Sequence, residues 1–512
     1  MSAKARCLGT LLWLLAAHVS AAPEFELRRG NGPEPATLNP HLAQDVAAQN
    51  VLRDLFEGLV SETPDGTLEG GQAQSWLLSA DGLTMRFTLR ENLRFSDGSA
   101  LAARDFADSL NLALAPATAA PFAAQLEMIQ RIRAPDPRTV EITLKRRSPE
   151  LLATLTLPIA FPLPLSLRSA APSAFSKPAK LIGNGAYRIV EWRAQSHVLV
   201  ERNAHFRDAS NVRIAQVRFV LTDDPAAEYK RFRAGDLDLT DSVPSGPVER
   251  LRERHGEQLR VSPYLGTVYY GFNLTRAPFA ADPNLRRALS LALDRRILTR
   301  YIAGAGEQPT YALIPPVLLQ APAEAQRRAA LTDADRIKAA RLALSQARYR
   351  PERDAAIEIR FNANPNQRRL ALAMQAMWLQ TLGVRSEVRQ EEWKVFLSNR
   401  RQRRVTQVFR MSWVADLATP ENFLSLFESN SALNFTGIND PALDAHLASA
   451  LNATDDAERQ DQLQQAQARL LDIEAIIPLY HYVSRHLVSP RVQGFVAHPL
   501  DRHLSRHLSL NQ

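Results

Sequence analysis

Apolar and polar side chains alternate in Phe25-Glu26-Leu27-Arg28-Arg29, in Thr84 to Arg90 and in Val140 to Leu144. Successive side chains of a strand face opposite sides, so each stretch is predicted as a half-buried strand. Asp223-Asp224-Pro225 carries a cap and a first-turn proline, Gly235 closes the helix they open, and Asp236-Leu237-Asp238-Leu239 resumes the strand period. The same cap-then-proline signal at Asp282-Pro283 precedes Leu285, Ala288, Leu289, Ala292 and Leu293 at helical spacing, and Asp440-Pro441 opens another helix. Thr454 to Leu470 is polar and Gln-rich and is predicted as a solvated surface helix before the apolar Ile476 to Tyr480. Leu157 to Leu165 is apolar but holds Pro158, Pro162 and Pro164, which predicts an extended crossover between lobes. Strands and helices interleave throughout, so the predicted class is α/β.

Composition adds scale and compartment. A chain of 512 residues, 45% hydrophobic and 23% charged, is globular in composition and too long for one ordinary domain. Lys4 and Arg6, the apolar run Leu8 to Ala17 and the small residues Val19-Ser20-Ala21-Ala22 form a secretory leader, with cleavage expected after Ala21. The single cysteine, Cys7, precedes the apolar run, whereas a lipid-anchor cysteine follows one. Residues 22–512 therefore contain no thiol for a disulfide, a nucleophile or a metal. Losing Lys4 and Arg6 lowers the formal charge from +8 by two, too little at this length to argue for nucleic acid. The basic run Arg400-Arg401-Gln402-Arg403-Arg404 reads as a solvated turn between a helix and a strand.

No G-x-S-x-G elbow, H-E-x-x-H, Gly-Lys phosphate loop or dinucleotide fingerprint occurs, so no catalytic residue or cofactor is assigned. Histidines 481, 486, 498, 503 and 507 crowd the C-terminus at irregular spacing without a carboxylate in a ligand pattern. They are expected at the surface, with no metal site. Two aromatic-rich strands, Tyr264 to Tyr270 and Arg410 to Asp416, remain. Either one fits a core strand, since aromatic stripes are usually core. Arg410 and Asp416, at opposite ends of a short apolar strand, also offer both signs of charge to a zwitterionic chain lying along it.

Six ordered matches carry a resemblance: Leu38-Asn39-Pro40-His41 with Arg53 to Leu59, Leu93 to Gly98 with Ala103 to Phe106, Gly183 to Tyr187, Glu201-Arg202-Asn203, Arg287-Ala288-Leu289 with Asp294-Arg295, and Pro478 to Val483. Through them the chain resembles the oligopeptide-binding members of the ABC-importer solute-binding proteins. The resemblance implies a periplasmic-binding-protein-like fold, two lobes plus an extra domain around a hinged ligand cleft. It implies residues 1–21 as signal peptide, domain I from 22–56, 180–268 and 483–512, domain II as 57–179, and domain III as 269–482. It further implies a periplasmic monomer that binds short peptides, delivers them to permease subunits in the inner membrane and contacts no nucleic acid.

The resemblance also implies a site. Asp416 pairs with the peptide α-ammonium, and the backbone of Ser412 and Val414 receives the peptide as an added strand. Trp393, Trp413, Tyr264 and Tyr482 line side-chain pockets, and Arg410 reaches the C-terminal carboxylate. Phe122 stands where close relatives have a tyrosine, Gln367 near the place of a histidine, and Gly271 in that of a glutamate. Gly266 and Val414 replace two cysteines that pair in those relatives. The alternatives are another solute on the same fold (nickel, haem, an opine or a sugar), a ligand-loaded sensor subunit, or a secreted peptide hydrolase using Glu391 and Glu392.

Overall fold

In the computed structural model, residues 26–511 are described apart from 245 and 454; the leader, Cys7 and Thr454 lie outside the described residues. Glu26–Gly30 forms the edge of a four-stranded sheet, parallel to Gln216–Val220, which runs antiparallel to His197–Arg202 and on to Tyr187–Arg193. Leu27, Val198, Val200, Val217 and Phe219 build its core with Leu52 and Leu55 of the helix Val46–Leu55 and with Val488 and Leu508 from the C-terminus. The Asp45 carboxylate starts that helix by accepting the Ala48 N–H at 2.7 Å.

A second four-stranded sheet runs in the order Ala73–Leu78, Thr84–Leu89, Thr139–Leu144, Ile129–Asp136. Phe87, Val140 and Ile142 on one face pack against Phe106 and Leu110 of the helix Ala103–Leu114. The proline-rich stretch passes from this core to the first: Leu157, Ile159 and Ala160 belong to one, Phe161 and Leu163 to the other. It holds a single 3-10 turn at Pro158–Ala160, as its prolines require.

The largest sheet has six strands in the order Gln308–Pro309, Ile476–Leu487, Leu259–Phe272, Val408–Val414, Ile357–Asn362, Ser386–Glu391. The helices Pro283–Leu291 and Pro365–Leu382 cover one face, and the Trp378 indole donates to the Leu289 carbonyl at 2.9 Å. Phe423, Leu443, Leu463 and Leu470 cover the other. Leu259–Phe272 and Ile476–Leu487 pair along most of their length, with a register shift between Pro263 and Thr267. Their outer ends, Leu259 and Leu487, pack in a separate core with Val220 and Phe232. The expected boundaries at 268/269 and 482/483 fall within these two strands.

Three local expectations change. Asp236 to Leu239 forms only a bridge at Leu239, because the Asp238 carboxylate takes the Arg28 N–H at 2.9 Å and the Arg28 guanidinium, leaving no regular ladder. The helix Asp456–Asp472 is not solvated all round: Leu463, Ala466, Gln467 and Leu470 are fully buried, and Gln467 accepts the Ile314 N–H at 3.0 Å. In the basic run, Arg400 is half-buried over the Phe435 ring at 4.2 Å, and desolvation pushes its guanidinium down to about 10. Among the described residues no helix is long and apolar enough to cross a membrane.

Candidate functional site

Leu259–Phe272 and Val408–Val414, the two aromatic strands, are antiparallel neighbours. Gly266, expected with Val414 in the place of paired cysteines, is the direct register partner of Val414. A Cβ at Gly266 would lie 2.7 Å from the Tyr482 ring and 3.0 Å from Val414 Cγ2, so glycine lets Tyr482 pack beside Val414. Gly271 plays the same part for Phe409, whose ring would stand 2.7 Å from an added Cβ.

The other edge of Val408–Val414 is mostly open. Ile357–Asn362 pairs with it only at Val408 and Phe409. Ala415 N–H donates to the Leu265 carbonyl at 2.8 Å. Hydrogen-bonded and non-bonded pairs alternate in an antiparallel ladder, so Met411 and Trp413 turn their backbone groups toward Leu259–Phe272. Ser412 and Val414 turn theirs to the open edge. Val414 is correspondingly exposed.

Where this strand ends, a cavity of about 240 Å³ opens, lined by residues from around all three large sheets. Asp416, Val414, Tyr264 and Phe122 all line it. Asp416 is fixed through its backbone: its N–H donates to Asn422 Oδ1 at 3.2 Å and its carbonyl accepts from Arg502 at 2.8 Å. The same Asn422 oxygen accepts the Trp413 indole N–H at 3.0 Å, so one amide sets both side chains. Next to Asn422 in the chain, Glu421 is paired with Arg459 at 2.7 Å. The Asp416 carboxylate itself has one hydrogen bond, from Gln125 at 3.3 Å. Among the described residues it makes no ion pair; the nearby Arg502 guanidinium is held by Glu62 at 2.6 Å. Burial pushes the Asp416 carboxyl above its ordinary value, against smaller opposing pulls from Arg502 and Gln125. A cation delivered here meets a half-buried carboxylate that has no ion-pair partner of its own among the described residues.

The remaining site candidates lie elsewhere. Arg410 and Ser412 are half-buried on the same strand, away from the cavity wall. Arg410 pairs in register with Tyr270, and its Nε has no partner. At ~3.4 Å per strand residue it sits roughly 20 Å along the chain from Asp416. Tyr482 is half-buried beside Tyr480, with ring centroids 6.1 Å apart and nearly perpendicular. Trp393 starts the helix Trp393–Gln402, is 48% exposed and stacks on Phe396 at 6.2 Å.

Sequence reasoning missed another part of the cavity wall. Thr240, Asp241, His486, Asp501 and His503 line it, with Arg29 close by. His486 is buried rather than at the surface, and so are His481 and His498; a carboxylate does reach the cluster, contrary to expectation. The Asp501 Oδ1 stands 2.8 Å from His486 Nε2 and 3.1 Å from His503 Nε2, and His486 Nδ1 faces the Thr240 carbonyl at 2.8 Å. Burial drives His486 down, but the Asp501 charge and the two hydrogen bonds outweigh it and hold the ring at about 9. Burial pushes His503 down to about 4. The Tyr264 hydroxyl, buried beside Asp501 and Asp416, is pushed up to about 12.

Comparison with known proteins places this geometry. A family model described as bacterial extracellular solute-binding proteins, family 5, middle region, matches residues 67–435. The periplasmic oligopeptide-binding protein OppA of Salmonella typhimurium is 32% identical over 504 residues, covering 95% of this chain and 92% of that protein. The murein tripeptide-binding protein MppA in its unliganded open form superposes with a TM-score of 0.87 at 31% identity, over 96% of this chain and 98% of that one. Haemophilus influenzae OppA in complex with RPPGFSPFR gives 0.75 at 29% identity, over 96% and 100%. The mixed α/β, periplasmic-binding-protein-like fold expected from the sequence is the fold observed.

Proposed function

Since the chain belongs to the bacterial extracellular solute-binding proteins of family 5, we propose that it captures short peptides in the periplasm and hands them to the permease subunits of an ABC importer. The observation that carries this reading is the open edge of Val408–Val414 ending at Asp416. A peptide laid on that edge pairs its main chain with Ser412 and Val414, which gives affinity without reading side chains. Its α-ammonium then supplies the direct ion-pair partner that the Asp416 carboxylate lacks. Tyr264 and Phe122 offer apolar surface to the first side chains, while Arg410, farther along the same strand, meets the carboxylate of a longer ligand. Relatives named for oligopeptide and murein peptide binding support the ligand class.

On this reading the leader is removed near Ala21, the mature protein is a monomer without lipid, and the peptide leaves unchanged. Native mass spectrometry of the purified protein, followed by calorimetric titration with free-amine peptides, tests it. Co-purifying peptides and a Kd of about 1 μM or tighter, roughly −8 kcal/mol, are expected. Cleaved peptides after incubation, or no binding of any short peptide, overturn it.

A further inference from the structure

The wall of this cavity also brings together three side chains that the peptide reading does not use. His486 Nε2, His503 Nε2 and an Asp501 oxygen lie within 4.8 Å of one another. We propose that His486, Asp501 and His503 bind a divalent transition ion of the zinc and nickel class in the wall of the ligand cavity. Two imidazole nitrogens and one carboxylate oxygen are the donor set that such borderline ions take at about 2.0–2.2 Å. Neighbouring ligands of a tetrahedral ion stand about 3.3–3.6 Å apart, so the 2.8 and 3.1 Å now found between each ring nitrogen and the shared oxygen need open by only about 0.2–0.8 Å to admit one.

The surroundings orient these donors. The Thr240 carbonyl faces His486 Nδ1 at 2.8 Å, the outer contact that turns a ligating Nε2 inward. Phe495 stacks on the His503 ring at 4.1 Å and meets His486 edge-on at 5.5 Å, which fixes both ring planes. The Arg29 guanidinium donates to the His503 carbonyl at 2.7 Å and holds the backbone there. Asp501 takes a left-handed backbone with φ of 56° after the Pro499–Leu500 turn, a conformation that costs a non-glycine residue energy and swings its carboxylate between the rings. Without an ion, protons on the ring nitrogens bridge the same atoms. All three residues line the cavity, so an ion has an entry path and keeps a coordination position open toward whatever the cavity holds. The inference stands whether or not that occupant is a peptide.

Untagged protein, stripped with a chelator and dialysed against Zn²⁺, tests it by elemental analysis and calorimetry. One ion per chain with a micromolar or tighter Kd is expected. Asp501→Asn and His503→Gln should each weaken binding by about tenfold to a hundredfold, with melting curves confirming that the variants are folded. Cu²⁺ loaded into the unaltered protein gives a second readout that needs no variant: its electron paramagnetic resonance spectrum should show coupling to two imidazole nitrogens. Absence of stoichiometric Zn²⁺ binding, affinity unchanged in both variants, or a Cu²⁺ spectrum without two coupled nitrogens overturns the proposal.

Discussion

Asn422 controls the candidate site without being expected to touch the ligand, so Asn422→Ala separates positioning from contact. Its Oδ1 accepts from the Asp416 N–H at 3.2 Å and from the Trp413 indole at 3.0 Å. Two neutral hydrogen bonds at about 0.5–1.5 kcal/mol each give a stability loss of roughly 1–3 kcal/mol. Part of that loss should appear in binding, because the Asp416 carboxylate keeps its charge but loses its tether. A binding loss of about 1 kcal/mol is a factor of roughly five in Kd. Thermal melts and calorimetric titration with a free-amine peptide read the two effects separately. The same substitution in an Asp416→Asn background should lower stability again yet leave affinity nearly unchanged, since the charge being positioned is gone. A full fivefold binding loss in both backgrounds, or a melting shift with no affinity change in either, refutes the positioning argument.

Two further outcomes concern packing and pH. Gly266→Ala places a methyl 2.7 Å from the Tyr482 ring and 3.0 Å from Val414 Cγ2; overpacking of this kind costs about 1–3 kcal/mol, so both melting temperature and peptide affinity should fall, and an unaffected variant contradicts the packing. Glu228, pushed up to about 7 by burial and by the charge of Asp241 against hydrogen bonds from Asp241 and Ser242 and the charge of His486, favours the fold most when protonated. Its stabilising share is complete below the ordinary carboxyl range near pH 4.5 and is lost as pH rises through 7, by about 3 kcal/mol in all. Glu228→Gln should flatten that slope and raise the melting temperature at pH 8; an unchanged pH profile contradicts it.

Elements with local signals were legible in the sequence. Cap-then-proline at Asp224, Asp282 and Asp440 starts three helices because each carboxylate accepts a backbone N–H that the helix cannot satisfy. Asp416, Val414, Tyr264 and Phe122 were expected at the site through resemblance, and they share one cavity. What escaped depends on distance in sequence. Asn422 and Gln125 are ordinary amides in the short helices Glu421–Leu424 and Ala123–Leu126, and nothing near them in the chain announces Asp416. The His486, Asp501 and His503 group exists because a turn at Pro499 docks on Leu265 and folds Asp501 back between two rings. The buried face of Asp456–Asp472 is masked by a polar, Gln-rich sequence, in which Gln467 holds a core position and its amide oxygen accepts the Ile314 N–H.

The central claim, that Asp416 holds a peptide ammonium, is tested most directly by titrating a short peptide and its N-acetylated form against the unaltered protein and Asp416→Asn. Truncating one partner of a buried charge pair costs about 2–5 kcal/mol, so acetylation should weaken binding to the unaltered protein by roughly 30-fold to several thousand-fold. In Asp416→Asn, which binds the free peptide weakly to begin with, acetylation should change little. Equal losses on acetylation in both proteins would show that the ammonium rests elsewhere.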